Sequence, residues 1–289
     1  MSEPHGSSSA ARRSSSAARR IPGLLAGISL VVIAAFFFFP MIWMVLSSFK
    51  SNTDIFASPF ALPTSIDFGR WAEAWEVGQI GQYALNSAIV TAVSVTGILL
   101  LGSGAAFALS RYRFRGRTLF MSLFALGLLL PLQSYFIAQS SIFTQLAITD
   151  TRLALIIPYT AMGLSLAIYL LKVYLDALPE ELFDAARIDG AGDFLVFRAL
   201  ALPLLRPGLA TVAIFSALAA WNEFLLALLY IQDDALKTIP TGLLAFSSRY
   251  VTDYSLLFSA LSIVTIPMIV IYVVFNRQIV EGITAGSVK

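Results

Sequence analysis

The sequence predicts an all-α membrane protein of six transmembrane helices with both termini on the cytoplasmic side. Three observations carry this. Of 289 residues, 58% are hydrophobic and only 12% charged, whereas a soluble domain carries about 25% charged residues. Six stretches reach the roughly 20 apolar residues that a bilayer span needs. Lys and Arg gather at the tail, on alternate connectors and at the C-terminus, an asymmetry that marks the cytoplasmic side.

Residues 1–20 are rich in Ser, Ala and Arg, lack an apolar period and read as a disordered cytoplasmic tail. The apolar run from Ile21 is too long for a signal peptide's core and has no small-residue cleavage site, so it reads as a retained span. The expected spans are Ile21 to Leu46, Asn86 to Leu109, Leu119 to Ala138, Leu153 to Leu171, Leu209 to Tyr230 and Leu256 to Phe275. Residues 21–82 then form a first helix with a long outer loop, residues 83–276 a core of five helices, and residues 277–289 a cytoplasmic tail.

The charges set the orientation. Arg12, Arg13, Arg19 and Arg20 precede the first span, and Arg111, Arg113, Arg115 and Arg117 follow the second. Lys172, Arg187, Arg198 and Arg206 follow the fourth, and Arg277 and Lys289 follow the last. Only Lys50, Arg70, Arg152, Lys237 and Arg249 fall on the other side. The outer segments are a long loop from Lys50 to Tyr83 with Trp71 and Trp75, a tight turn from Thr149 to Arg152, and a loop from Gln232 to Tyr254. The last carries Asp233, Asp234, Asp253 and two candidate contact aromatics, Phe246 and Tyr250.

Much chemistry is excluded. There is no cysteine, and the sole histidine, His5, lies in the tail, so thiol catalysis, disulfides and the usual metal ligands are absent from the spans. No GxxxxGK[ST], HExxH or GxSxG occurs, so the chain holds no nucleotide by a P-loop and no hydrolytic centre of those types. Ion-coupled carriers keep ionisable groups at mid-membrane, yet the middle of every span here lacks acids and bases. The chain reads as a conduit driven from elsewhere, not as an enzyme. Glu223 is the one acid within a span, in Trp221-Asn222-Glu223-Phe224, roughly 24 Å past Pro207 at 1.5 Å per residue. Two roles fit it: a carboxylate at the outer headgroups, or a polar lining of a substrate path together with Asn222, Gln133 and Tyr159. Gln139 and Thr160 are weaker candidates, and the small residues Gly102, Gly104, Ala105, Ala106 and Ala108 suit close helix packing.

A driven conduit needs a surface for its motor, and Leu178 to Pro207 is the strongest polar interruption of the second half. Pro179 suits a helix start, and Glu180 and Glu181 favour its positive dipole end. Leu182, Ala185, Ala186 and Asp189 fall on one side, Gly190 stops the helix at positive φ, Asp193 can cap a second helix, and Pro203 and Pro207 lead into the fifth span. The pattern alone fits either a docking surface or a hairpin resting on headgroups.

This stretch resembles the EAA loop of ABC-transporter permeases. Asp184-Ala185-Ala186 stands for Glu-Ala-Ala, with Gly190 and Leu202-Pro203 at matching positions. Ser47-Ser48-Phe49-Lys50 after Pro40, Asn86-Ser87, Ala105 to Ala108, Arg111 to Gly116, Trp221 to Phe224 and Gly282 to Lys289 resemble the maltose-type sugar permeases in the same order. The resemblance implies the type I ABC importer permease fold in a bacterial-type inner or plasma membrane, surrounded by lipid. It implies a second homologous permease, two ABC ATPases that hold ATP and Mg²⁺, and an extracytoplasmic sugar-binding protein; no cofactor, metal or nucleic acid is expected on this chain. Glu180, Glu181, Asp184, Ala185, Ala186, Gly190 and Pro203 would couple to the ATPase, and Gly286 and Lys289 would add a C-terminal contact. The sugar, or a polyol such as glycerol phosphate, stays open. The competing reading is a stand-alone facilitator or an ion-coupled carrier of small polar solutes.

Overall fold

A computed structural model of the chain describes residues 11–131, 134–246 and 252–285, and every regular element among them is helical. The candidates Gln133, Tyr250, Gly286 and Lys289 lie outside the described residues. Helix α1 spans Ala11–Ser47, and within its apolar part Gly27 to Pro40 is exposed throughout. Its C-terminal end is fastened: Trp43 meets the Phe258 ring edge-on at 5.3 Å, and the Ser259 hydroxyl donates to the Ser48 carbonyl at 3.1 Å.

The long outer loop folds into two short helices, α2 (Asn52–Ala57) and α3 (Gly69–Val77). Ser51 caps α2 by accepting from the Asp54 amide at 3.2 Å. Lys50 is buried, with its ammonium donating to the carbonyls of Ser58 and Pro59, both at 3.2 Å. Phe49 stacks on Trp71, whose indole donates to the Ser48 hydroxyl. The Ser-Ser-Phe-Lys run therefore ties the end of α1 to the loop above it.

Helix α4 (Ile80–Arg111) begins well before Asn86 and packs along α7 (Leu153–Asp176) to form the spine of the molecule. Small residues permit this approach. A Cβ on Gly102 would lie 3.0 Å from the Ala167 methyl, and one on Gly163 only 2.3 Å from Ile98. Gly104, from the same small cluster, faces open space instead.

Two expected spans are broken. The third divides into α5 (Arg117–Leu129) and α6 (Phe136–Gln145), because Pro131 has no amide to continue the hydrogen-bond ladder. The fifth divides into α10 (Arg206–Asn222) and α11 (Leu225–Tyr230). Between α7 and α10 lie α8 (Glu180–Ile188) and α9 (Asp193–Leu204), the latter π-helical over Val196–Ala201, with a 74° bend between α9 and α10. A short helix, α12 (Ile239–Gly242), precedes α13 (Tyr254–Ala285).

By length and composition, Gly27–Ser47, Ile80–Arg111 and Leu153–Asp176 are each able to cross a membrane, and the bent pair of α9 and α10 counts as one more if it forms a single span. Arg117–Leu129 and Tyr254–Val270 are apolar but shorter. Three apolar cores result. The inner one gathers Phe107, Leu171, Leu175, Phe183, Val196 and Leu205; another lies around Leu155, Tyr159 and Tyr230; the last holds Phe246, Ile80 and Leu256 beneath α3. Phe246 is thus a core residue, not the contact aromatic its loop position suggested.

Candidate functional site: the inner bend and a polar cavity

The bend forms as its residues dictate. Glu180 and Glu181 occupy the first turn of α8 and Arg187 the last, each favourable to the helix dipole. Gly190 adopts φ +83°, and the amide of Ala191 donates to the Ala186 carbonyl at 3.0 Å, the Schellman closure that a left-handed glycine permits. No atom lies within 4 Å of where a Gly190 side chain would start. Asp193 does not cap α9. Gly192 holds that position, and Asp193 is the first helical residue. Its carboxylate instead accepts from the hydroxyl of Tyr112; burial, and then this acceptor, push the phenol above its ordinary value.

The side of α8 that carries Leu182, Ala185 and Asp189 is left open, and the helix is anchored by a different residue. Phe183 is fully buried and Ala186 half-buried, while Leu182, Ala185 and Asp189 are exposed. Burying the Phe183 ring contributes about 2–3 kcal/mol to docking of α8 on the inner core. It takes the anchoring role because, of the large side chains on α8, it is the one buried in the cluster with Leu171 and Val196. What remains outside is an apolar patch: Ile188 is 86% exposed and Phe194 74%, with Leu182 and Leu195 beside them. Asp184 is exposed and pairs with Arg187 at 3.2 Å. Pro203 is exposed in the last turn of α9. Ile188, Phe194 and Leu195 went unremarked in the sequence, although apolar residues flanking a Gly-containing turn signalled them.

The polar candidates of the spans are only partly brought together. Tyr159 donates to the Glu223 carboxylate at 2.6 Å. The same carboxylate accepts from the amides of Leu226 at 2.9 Å and Ala227 at 3.2 Å, so it caps α11. Glu223 therefore makes the break in the fifth span and holds it to α7. The two residues line a cavity of about 320 Å³ with Tyr135, Ser216, Met162 and Phe215. Asn222 is not part of it; it is exposed, and its amide donates to Leu218 one turn back at 2.8 Å. Gln139 accepts from the Tyr230 hydroxyl and is a packing residue. A second cavity, about 530 Å³, has an almost wholly aliphatic wall of Val95, Ala213, Ile214 and Leu218 with Trp221 at its edge. The smaller one offers hydroxyls and a carboxylate, which a polar solute needs on leaving water. Among the described residues no cluster of three metal-ligating side chains occurs.

At the outer end, Asn86 is fully buried. Its amide donates to the carbonyls of Ala235 at 2.8 Å and Lys237 at 2.9 Å, and its oxygen accepts from Arg152 at 2.8 and 3.3 Å. Next to it the Ser87 hydroxyl accepts from the Ile239 amide at 2.9 Å. Asp150, at φ +60°, accepts from the amides of Gln232 and Asp233, both at 2.9 Å. These groups bind the outer loop to α4 and to the turn before α7.

Comparison with known proteins places these features. The family described as binding-protein-dependent transport system inner membrane component matches residues 98–283. The diacetylchitobiose uptake system permease protein NgcG of Streptomyces coelicolor is 38% identical over 255 residues, covering 86% of this chain and 83% of the relative. The arabinooligosaccharides transport system permease protein AraQ of Halalkalibacterium halodurans is 30% identical over 269 residues, covering 92% and 96%. The fold matches a chain in the crystal structure of a bacterial ABC transporter involved in import of the acidic polysaccharide alginate, with a TM-score of 0.79 over 95% of this chain and 99% of that one, at 22% identity.

Proposed function

Because this chain belongs to the family of binding-protein-dependent transport system inner membrane components, we propose that it forms half of the pathway of an ATP-driven importer whose cargo is a carbohydrate. In this reading six spans cross the inner membrane, counting the broken α5–α6 and α10–α11 stretches as one each, and both termini are cytoplasmic. A second, related permease completes the pathway. Two ATPases hold ATP and Mg²⁺ beneath it, and a sugar-loaded binding protein docks on the loops fastened by Lys50, Asn86 and Asp150. The carbohydrate class rests on the relatives that name diacetylchitobiose and arabinooligosaccharides.

The observation that carries the reading is the exposed patch of Ile188, Phe194, Leu182 and Leu195 on a bend whose other face is locked into the inner core. Such a patch suits a groove on a partner protein. Glu180, Glu181 and Asp184 would supply charge at its rim, Ala185 and Ala186 close backbone approach, and Gly190 and Pro203 the turn geometry. ATP-driven closure of the ATPase pair would then shift α8 and α9 and re-open the cavity between Tyr159 and Glu223 to the other side of the membrane.

The test is Ile188→Glu in the chain co-expressed with its second permease and ATPases. The expected result is loss of the ATPase from the purified complex, with the two permeases still paired. Retention of the ATPase would overturn the docking assignment. A chain that alone carried sugars into ATP-free vesicles would establish the facilitator or ion-coupled reading instead.

A further inference from the structure

Among the four arginines around the second connector, Arg111 is built into the protein by contacts to two other helices. It is the last residue of α4, and Arg113 and Arg115 after it are exposed. Its guanidinium carbon sits 3.7 Å from the centre of the Phe183 ring. One terminal nitrogen donates to the carbonyl of Leu175 and, at 3.4 Å, to that of Leu178. Its Nε is buried without an acceptor. The ring and the two carbonyls therefore fix the guanidinium, rather than any carboxylate.

Each of these contacts belongs to a different body. Leu175 ends α7, Leu178 lies in the turn, and Phe183 is the anchor of α8. A cation over an aromatic face is attractive, and a cation at a helix C-terminus complements the carbonyls left free there. Only a planar guanidinium offers a face to the ring and an edge to the carbonyls together. Beside it, Ser110 donates to Asp176 at 2.6 Å, a second tie between α4 and α7. Phe183 already packs α8 against α7 and α9; Arg111 adds a tie from α4 that spans the three-residue turn Ala177-Leu178-Pro179.

We infer that Arg111 is a positioning residue that makes α4, α7 and α8 move as one body, so that displacement of α8 reaches the spans rather than being absorbed in the turn. This rests on the reading that α8 and α9 contact the ATPase.

This chain has no cysteine, so, with the second permease and the ATPases also made cysteine-free, the full complex permits a direct test. Spin labels are introduced by Leu100→Cys on exposed α4 and Asp189→Cys at the end of α8, and their separation is measured by pulsed electron resonance with and without ATP and vanadate. The expected result is one narrow distance, unchanged by nucleotide, in the otherwise native chain. In Arg111→Gln and, separately, in Phe183→Leu, the distance is expected to broaden and to depend on nucleotide. Adding both substitutions is expected to change little more, since each breaks the same joint. A nucleotide-dependent distance in the native chain, or a narrow and constant one in both variants, would overturn the inference. If the ATPase instead stays on Ile188→Glu, it is the docking premise that falls, whatever the distances.

Discussion

Replacing Asn86 tests the outer end of the spine. Its carboxamide has two donor hydrogens and two acceptor lone pairs, and all four are in use at a site with no exposed surface. Asn86→Leu keeps the branched heavy-atom skeleton and removes every one of these bonds. Two neutral hydrogen bonds are worth about 1 kcal/mol each, and the two-pronged contact from the charged guanidinium, taken as one, about 1.5–3 kcal/mol. The expected loss is therefore about 3.5–5 kcal/mol in total. Asn86→Asp keeps the acceptor for Arg152 but turns an oxygen toward the carbonyls of Ala235 and Lys237, so about half of that loss is expected. The assay is thermal unfolding of the purified protein in detergent, paired with limited proteolysis of the segment 232–246. The order of stability should be parent, Asn86→Asp, Asn86→Leu, with cleavage of the loop accelerating in the same order. An Asn86→Leu protein that melts with the parent and keeps its loop protected would refute the reasoning.

Two further outcomes are expected. At Gly190 the space is open and only φ is demanding, so Gly190→Ala should cost about 1–2 kcal/mol of backbone strain. Gly190→Asn should cost less, because Asn tolerates this region; both should lower binding-protein-stimulated ATP hydrolysis by the complex more than they lower its melting temperature if the bend docks there. Tyr159→Phe removes one hydrogen bond to a carboxylate, worth about 1.5–3 kcal/mol. It should loosen the α10–α11 break, read as faster hydrogen exchange at the Leu226 and Ala227 amides.

Much of this was legible because membrane insertion constrains sequence so tightly. The composition, the apolar stretches and the Gly190 turn follow from local chemistry, and the chain's own residues carry all three. The side of α8 with Leu182 and Ala185 was legible from the motif, but its anchor, Phe183, was not, because its pocket is built by α7 and α9 and has no local signature. The third and fifth spans read as continuous because hydropathy does not register a break. Pro131 was a visible cue for one. The other depends on Glu223 finding Tyr159 and two amides, an arrangement that exists only once α7 is beside α10. The role of Asn86 was equally hidden, since its carbonyl partners lie about 150 residues away along the chain. Asn222 was grouped with Glu223 by adjacency, but one step along a helix turns a side chain by about 100° and takes it out of the cavity.

The attachment of α1 has a consequence for how the protein is made. Its helical partner is α13, through Trp43 with Phe258 and Ser48 with Ser259, contacts separated by 211 residues of chain in the second case. A ribosome adds about 5–20 residues per second, so about 10–40 s pass between the two. For that interval α1 must reside in lipid without its neighbour. Its exposed surface from Gly27 to Pro40, apolar but for Ser29, is what such a wait demands. Helix α1 is thus fastened only after α4 to α12 have been made, and the order of synthesis leaves the pairing of α4 with α7 free to form before α1 is tied to α13.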